Sequence, residues 1–304
     1  MIIMKHNHLS LLFTSLVLVL VFFGNLVYEI RETPSLQESI NSTSFSYSSP
    51  KISRVLPPAF IQTTVQEQLT PPPMINAEAV LAQELLSQKV FFEQGIAKRW
   101  AMASLTKLMT AVIAWEKIGP EKNITFSEAA VATEGIGGGW QVGDQSPARE
   151  LIRSMMTVSS NDAAEALAEF YGRENFILEM NQKAVELGMK QTHFQDPTGL
   201  SLLNQSTLEN LRSLASYIYL DHRPILEMSR DKEITILGRT LTNINLFAGR
   251  QEWLGGKTGF TDESGGNLIS VFDYNGQPLV IIVFGSENRF QETEKVYNWI
   301  TLSN

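Results

Sequence analysis

The sequence predicts an α+β domain in which strands from both ends of the globular part share one antiparallel sheet. Two short β-rich segments, Ala79-Val80-Leu81 and Lys89-Val90-Phe91-Phe92, open this part of the chain. Apolar residues at three- and four-residue spacings follow, and they indicate several helices. Late in the chain, two more β-rich segments flank Asn275-Gly276, a strong hairpin signal. Helices between the two pairs of strands would cover the sheet.

The predicted helices are recognised by an apolar stripe and by residues that start or stop a helix. Gly172 and Gly188 are suited to end two of them, and Ser206-Thr207-Leu208-Glu209 has the capping-box pattern that begins another. These helices run from about Ser104 to Ile118, from Asp162 to Tyr171, from Asn175 to Leu187, from Ser206 onward, and from Gln291 to Ile300. The late strands are predicted from Leu268 to Asp273 and from Leu279 to Phe284.

The N-terminal sequence predicts a membrane anchor followed by a tether. Residues 9–28 carry no charge, and their number is about that needed to cross a bilayer. No convincing signal-peptidase site follows, so a cleaved secreted form is the less favoured alternative. Lys5 on the short side and Glu29 on the long side favour a cytoplasmic N-terminus. We therefore expect a short cytoplasmic segment at 1–8, a single-pass anchor at 9–28 in the bacterial cytoplasmic membrane, a flexible Ser/Pro-rich linker at 29–73 and an extracytoplasmic catalytic domain at 74–304.

Composition excludes several classes of function. The formal charge of −8 and the pI near 5.2 argue against a protein that binds nucleic acid through phosphate contacts. The 304 residues include no cysteine, and the four histidines have no zinc-ligand spacing. There is also no glycine-rich phosphate loop followed by lysine and serine or threonine. We therefore expect no metal and no cofactor.

Three short motifs carry the chemistry: Ser104-Leu105-Thr106-Lys107, Ser159-Ser160-Asn161 and Lys257-Thr258-Gly259. Together they form the residue set of a serine acyl-transfer site that recognises penicillins. Single matches are weak evidence, because Ser48-Ser49-Pro50-Lys51 and Ser229-Arg230-Asp231-Lys232 also fit Ser-x-x-Lys. Only the match at Ser104 begins an amphipathic helix. Lys-Thr-Gly occurs once, whereas Ser-x-Asn recurs at Ser39 and Ser286.

Each motif has a chemical and a structural interpretation. Residues three apart on a helix are neighbours, so Lys107 can bring its amine to the Ser104 hydroxyl. A lysine serves as a base only when burial and nearby positive charge favour its neutral form, and Lys257 could supply that charge. Asn161 could fix Lys107 and a substrate amide, while Ser159 could pass a proton to the leaving amine. The alternative is that Ser159 and Asn161 cap a helix, and that Ser104 and Lys107 are exposed at a helix start.

Dispersed matches in the right order extend these motifs. They are Ala103 to Ala111, Ser159 to Ala164, Met180 to Ala184, Leu187-Gly188-Met189, Thr192-His193-Phe194, Asp196 to Leu200 and Lys257 to Thr261. From about Ala77 to Ile300 the chain resembles the serine D-alanyl-D-alanine carboxypeptidases, the low-molecular-mass penicillin-binding proteins of bacterial cell walls. The resemblance implies a five-stranded antiparallel sheet sandwiched by helices, as in serine β-lactamases.

The resemblance also implies roles for the site residues. Ser104 would be acylated by the penultimate D-alanine carbonyl of a peptidoglycan stem peptide ending in D-Ala-D-Ala, and β-lactam antibiotics would acylate it too. Lys107 would be the base, and Ser159 and Asn161 would support proton transfer and bind the peptide amide. The substrate-binding set would be Lys257, Thr258, Gly259, Phe260 and Arg289. Within it Lys257, Thr258 and Arg289 would meet the terminal carboxylate, and the N–H groups of Ser104 and Phe260 would form the oxyanion hole.

The sequence departs from the family pattern in two respects. Ser160 replaces the usual glycine, which we expect to narrow the cleft. Many relatives add a β-rich domain and a C-terminal anchor. An N-terminal helix would take over the attachment to the membrane.

Three alternative functions use the same groups or fold. A β-lactamase needs a residue that helps water to hydrolyse the acyl-enzyme, and the candidate Glu179 lies in a helix of family-typical sequence. A D,D-endopeptidase or transpeptidase would use the same groups. An inactive wall-binding module would not need to keep all of them. The oligomeric state is left open.

Overall fold

The computed structural model describes residues 71–303. Its strands are β1 Ala79–Glu84, β2 Val90–Gln94, β3 Trp100–Ala101, β4 Asn123–Thr125, β5 Gln145–Pro147, β6 Gln205–Ser206, β7 Glu233–Ile236, β8 Arg239–Thr242, β9 Trp253–Thr261, β10 Gly265–Tyr274 and β11 Gln277–Ser286. Its helices are α1 Lys107–Ile113, α2 Glu128–Val131, α3 Ala148–Val158, α4 Asn161–Tyr171, α5 Arg173–Glu186, α6 Leu208–Asp221, α7 Arg223–Glu227 and α8 Arg289–Ser303.

The centre of the fold is a five-stranded sheet in the order β2-β1-β11-β10-β9. All of its neighbouring strands are antiparallel. The first strand, β1, pairs with the last strand, β11, although they lie at opposite ends of the domain's sequence. This confirms the predicted α+β class and the predicted sharing of one sheet by the first and last strands. The strand β9, which carries Lys257, lies at the edge of the sheet.

The sheet is buried on both faces because its strands alternate between two apolar cores. On β11, Val280 and Ile282 face the core beneath α1 and its neighbours, while Ile281 and Val283 face a second core that includes Val296 of α8. Successive side chains of a strand point to opposite faces, so a continuous apolar run fits a strand covered on both sides. The helices thus form layers on both sides of the sheet.

The β10–β11 hairpin is the tightest connection in the sheet. Asn275 and Gly276 have φ values of 53° and 77°, the left-handed conformation that a two-residue hairpin turn requires. The Gly276 N–H also donates to the Asp273 carboxylate at 2.8 Å. The strands on either side extend one to three residues further at each end than predicted, to Gly265–Tyr274 and Gln277–Ser286.

Most helix predictions are confirmed within a few residues, and two details differ. The segment predicted as one helix from Ser104 is a 3₁₀ turn at Ala103–Thr106, then α1, then a π turn at Ala114–Ile118. Thr207, rather than Ser206, caps α6 by accepting from the Asn210 N–H. The helices α2, α3 and α7 were not predicted, although in α3 the residues Leu151, Ile152, Met155 and Met156 form a buried stripe that could have revealed it.

The predicted membrane anchor at residues 9–28 and most of the predicted linker lie outside the described residues. Within 71–303, no helix combines the length and apolar character that crossing a bilayer requires.

Candidate active site

The Ser104 hydroxyl lies at the start of α1, on the 3₁₀ turn that leads into the helix. The residue before it, Ala103, has a φ of 49°, a left-handed conformation that is strained for a residue with a Cβ atom. Gly199 packs against this turn so closely that a Cβ there would lie 2.0 Å from the Ala103 carbonyl oxygen. The Lys107 Nζ atom lies 3.0 Å from Ser104 Oγ. The helical spacing therefore brings the two groups together as predicted.

The hydrogen bonds of Lys107 fit a neutral amine. Its Nζ donates to Asn161 Oδ1 at 2.6 Å and to the Thr198 carbonyl at 2.5 Å. These two oxygens can only accept, so they use both N–H bonds of a neutral amine. When the amine is protonated, its Nζ also donates to the Ser104 hydroxyl at 3.0 Å. When it is neutral, a lone pair takes the place of that N–H and can accept the Ser104 proton.

Burial lowers the pKa of Lys107 from 10.5 to about 7. The side chain is fully buried, and removal from water penalises the charged form. The negative charges of Asp196, Asp162 and Glu165 oppose this shift. A substantial fraction of Lys107 is thus neutral near pH 7, while the amine is still basic enough to accept a proton.

Asn161 is the first residue of α4 and is held from three directions. Its N–H donates to the Ile136 carbonyl at 2.8 Å, and its Nδ2 donates to the Glu134 carbonyl at 2.7 Å. These bonds fix which end of the amide faces Lys107. The capping role proposed for Asn161 and Ser159 belongs instead to Ser160, whose hydroxyl accepts from the Ala163 N–H at 3.2 Å.

Ser160 does not narrow the cleft, contrary to the expectation from sequence. Its side chain is fully buried and bonded to the Asp162 carboxylate as well as to the start of α4. The reason lies in the preceding residue. Ser159 ends α3 in the left-handed conformation, with a φ of 64°, and this turns Ser160 into the protein and Ser159 toward β9.

Lys257 on the edge strand β9 forms a hydrogen bond with Ser159 at the end of α3. Its Nζ donates to Ser159 Oγ and to the Thr258 carbonyl, both at 2.8 Å. Burial lowers the pKa of Lys257 well below its ordinary value, and the positive charges of Lys107 and Arg289 lower it further. Lys257 thus lies in the cleft, but the expected effect of its charge on Lys107 is not seen: burial lowers the pKa of Lys107, and the charges that act on it are carboxylates.

Gly259 and Phe260 place the end of β9 beside the nucleophile. A Cβ on Gly259 would lie 2.8 Å from the Met102 carbonyl oxygen and 3.2 Å from the backbone nitrogen of Ser104, so any side chain there would push the strand and the turn apart. The Phe260 side chain is 61% exposed, which leaves it on the rim. Arg289 at the start of α8 donates from Nη1 to the Gly259 carbonyl at 2.9 Å. Its Nε is buried and has no hydrogen-bond partner among the described residues.

Sequence reasoning assigned no role to Asp196, which organises the loop behind Lys107. Its carboxylate accepts from the N–H groups of Thr198, Gly199 and Ser201 and from the Asn204 amide, at 2.7 to 2.8 Å. Burial alone would raise the pKa of Asp196, but these hydrogen bonds outweigh it and lower the pKa. The loop in turn presents the Thr198 carbonyl to Lys107. The sequence signal for this loop is Asp196-Pro197-Thr198-Gly199-Leu200, one of the segments that carry the family resemblance.

The comparisons with known proteins agree with this geometry. The profile of a family described as D-alanyl-D-alanine carboxypeptidase matches residues 64–288. The chain belongs to this family. The predicted resemblance is thereby confirmed, and the penicillin-binding protein and β-lactamase type of fold with it.

Relatives in the D-alanyl-D-alanine carboxypeptidase family differ in length and in name. A D-alanyl-D-alanine endopeptidase of Pseudomonas aeruginosa is 31% identical over 79% of this chain and 86% of its own length. The D-alanyl-D-alanine carboxypeptidase DacA of Escherichia coli K12 is 30% identical over 75% of this chain but only 61% of its own length. The cefotaxime-bound penicillin-binding protein D2 of Listeria monocytogenes superposes with a TM-score of 0.69 at 28% identity, covering 76% of this chain and 99% of that one.

Proposed function

We propose that this protein is a serine D-alanyl-D-alanine carboxypeptidase that trims peptidoglycan stem peptides through an acyl-enzyme and is acylated by β-lactams. One observation carries the proposal: a buried lysine with a pKa near 7 lies 3.0 Å from the Ser104 hydroxyl. Family membership supplies the substrate class. We also propose a role for each of the motif residues.

Acylation begins with Lys107 as the base. Its neutral amine takes the Ser104 proton while Oγ attacks the carbonyl carbon of the penultimate D-alanine. The N–H groups of Ser104 and Phe260 stabilise the oxyanion, where one donor contributes about 3 kcal/mol to lowering the barrier. The C–N bond then breaks, and the departing D-alanine amine takes up the proton that Lys107 received from Ser104, passed on through the Ser159 hydroxyl. Water later hydrolyses the Ser104 ester and releases the shortened peptide.

The terminal carboxylate of the substrate binds among positive charges. Arg289 is close enough to Lys257 to lower its pKa, and neither residue forms an ion pair with a carboxylate within residues 71–303. Buried charge without a partner is costly. A substrate carboxylate beside Lys257, Thr258 and Arg289 relieves this cost, which favours peptides that end in a free D-alanine.

A D,D-endopeptidase is the second candidate function, and one observation favours it. The relative named an endopeptidase matches over 86% of its length, whereas DacA matches over 61%. An endopeptidase cleaves a cross-link in which the D-alanine amide is attached to a second stem. Analysis of the products from cross-linked and from linear muropeptides separates the two activities.

The described residues offer little support for a β-lactamase. Glu179, the glutamate considered for deacylation, pairs with Lys117 at 3.0 Å and accepts from the Tyr171 hydroxyl at 3.3 Å. It is thus engaged on α5, apart from the motif residues. Slow rather than rapid turnover of nitrocefin is expected.

We further propose that residues 9–28 anchor the protein in the bacterial cytoplasmic membrane and that 29–73 tether a catalytic domain at 74–304 outside it. The uncharged apolar segment and the Ser/Pro-rich composition support this arrangement. Membrane fractionation tests it, together with protease digestion of intact spheroplasts. Recovery of a soluble form that lacks residues 1–28 would contradict it.

The decisive experiment incubates the full-length protein with fluorescent penicillin and with a pentapeptide ending in D-Ala-D-Ala. We expect covalent labelling and release of D-alanine from the intact protein and neither from a Ser104→Ala variant. Labelling of the variant at a different residue, or an intact protein inert toward both reagents, would overturn the assignment.

A further inference from the structure

The third Ser-x-x-Lys match along the chain, Ser229-Arg230-Asp231-Lys232, lies beside the substrate-binding strand rather than in a helix. Ser229 follows α7, and its side chain is fully buried. Its hydroxyl donates to the Leu226 carbonyl at 2.6 Å and accepts from the Gly256 N–H at 2.9 Å. Gly256 directly precedes Lys257, so Ser229 holds β9 next to the first residue of the third motif.

The bond to Ser229 also shows which backbone groups of β9 face the cleft. The Gly256 N–H points away from β10, because it is donated to Ser229. Alternate residues of a strand direct their N–H and C=O groups to the same edge. The pairing of β9 with β10 keeps a constant register from Gly255 to Thr261, so Thr258 and Phe260 share the free edge with Gly256. Ser229 therefore occupies the outward N–H of Gly256, whereas the outward N–H groups of Thr258 and Phe260 have no neighbouring strand to pair with, because β9 is an edge strand of the sheet.

The segment that carries Ser229 supports both partners of the Lys257–Ser159 hydrogen bond. The Met228 carbonyl lies 3.4 Å from the hydroxyl of Thr157, two residues before Ser159. On the other side, a Cβ on Gly255 would lie 2.4 Å from the Leu226 carbonyl oxygen, so the strand and this segment are in direct backbone contact. The segment from Leu226 to Ser229 thus contacts both α3 and β9.

We propose that Ser229 is a positioning residue that ends the substrate-binding edge of β9 and sets the place of Lys257 opposite Ser159. An extended peptide can add to the edge from Thr258 onward but not at Gly256, where the serine oxygen stands in for a peptide carbonyl. This defines where the substrate chain begins to pair and brings its carboxylate to Lys257. The inference rests on the proposed function.

The test compares Ser229→Ala, Ser229→Cys and Ser229→Thr in the full-length protein. The readouts are the second-order rate of acylation by fluorescent penicillin and kcat and KM for a D-Ala-D-Ala pentapeptide. Ser229→Ala leaves a buried N–H unpaired and lets β9 shift, so we expect about a tenfold lower acylation rate and kcat/KM. Ser229→Cys has nearly the same shape but a weak acceptor, and it should behave like alanine. Ser229→Thr keeps the hydroxyl and should restore most of the activity.

Ser206→Ala is the matched control for loss of a buried hydroxyl. Ser206 is fully buried, its hydroxyl lies 2.7 Å from Thr192 Oγ1, and its strand β6 pairs with β3 rather than with β9. We expect it to lower the melting temperature as much as Ser229→Ala does, with little change in the acylation rate of the folded protein.

Wild-type rates in Ser229→Cys, no recovery in Ser229→Thr, or an equal loss in Ser206→Ala would overturn the inference. If the unsubstituted protein itself is not acylated, the proposed function has failed. If it is acylated and the Ser229 variants match it, only this inference has failed.

Discussion

The two buried lysines of the cleft differ in the charges that surround them. Lys107 and Lys257 are both almost completely excluded from water, and burial lowers the pKa of each. Around Lys107 the neighbouring charges are carboxylates, which limit the shift to about 7. Around Lys257 the neighbouring charges are the cations Lys107 and Arg289. These different surroundings support the two proposed roles, proton transfer for Lys107 and anion binding for Lys257.

The hydrogen bonds support the same distinction. Lys107 donates to two oxygens that only accept, so its lone pair is left for the Ser104 hydroxyl. Lys257 donates to one such oxygen, the Thr258 carbonyl, and to the Ser159 hydroxyl. A substrate carboxylate can therefore approach Lys257 without displacing a charged partner. The comparison leads to variants whose effects should differ in size and in kind.

Removing the base should have the largest effect. Lys107→Met keeps the length of the side chain but cannot accept a proton, and we expect acylation by penicillin to fall by about 10³-fold, within the usual range for general-base catalysis. Lys117→Met, on the π turn after α1, removes a partly exposed lysine paired with Glu179 and should leave the rate unchanged. Time courses of fluorescent-penicillin labelling give both rates. A Lys107→Met protein that labels within tenfold of the wild-type rate would rule out the proposed base.

Removing the anion-binding lysine should cost less and should depend on the substrate. For Lys257→Met we expect about a 100-fold lower kcat/KM for a peptide with a free terminal carboxylate, as for loss of one partner of a buried charge pair. A peptide amidated at its C-terminus lacks that charge, so the variant and the wild type should cleave it at similar slow rates. An equal loss on both peptides would mean that Lys257 acts on the chemistry rather than on the carboxylate.

Arg289 should contribute a smaller share of the same binding. It is only partly buried, and its Nη1 is already bonded to the Gly259 carbonyl. For Arg289→Gln we expect about a tenfold rise in KM with little change in kcat, since a partly exposed charge contributes less than a buried one. Steady-state kinetics on the pentapeptide measure this split. A fall in kcat with an unchanged KM would place Arg289 in the transition state instead.

The parts of the site that lie close in sequence could be predicted from physical reasoning alone. Ser104 and Lys107 are one helical turn apart, and the apolar stripe that follows them identifies the helix. The meeting of Lys257 with Ser159, 98 residues apart, could not be derived from periodicity and came from the resemblance to a known family. Long-range contacts depend on the whole sheet, because β9 reaches the cleft only as its edge strand.

Other features of the site could not be predicted because they depend on local backbone conformations and loop contacts that have no sequence pattern. The left-handed Ser159 turns Ser160 inward, which made the expected narrowing of the cleft wrong. Ser229 matched the nucleophile motif as well as Ser104 did, yet it lies beside β9 as a hydrogen-bond partner of Gly256. The role of Asp196 follows from five donors that a loop gathers around one carboxylate, and no spacing rule predicts such a loop.

The smallest expected effect is a shift in the pH dependence of acylation when a carboxylate near Lys107 is removed. Acylation requires neutral Lys107, so its rate should rise as pH increases through about 7. Glu165, one turn along α4 from Asn161, raises the pKa of Lys107 by its negative charge. In Glu165→Gln that influence is lost, and Arg173, bonded to Glu165 at 2.9 Å, is left without its partner. Both changes disfavour the protonated amine, so the midpoint of the pH–rate profile should move to lower pH while the plateau rate at high pH stays the same.

Glu169→Gln is the matched control. Glu169 lies one further turn along α4 and is bonded to Ser127, so its substitution should leave the midpoint in place. A midpoint that moves upward in Glu165→Gln, or equally in both variants, would show that the carboxylates near Lys107 do not set its basicity.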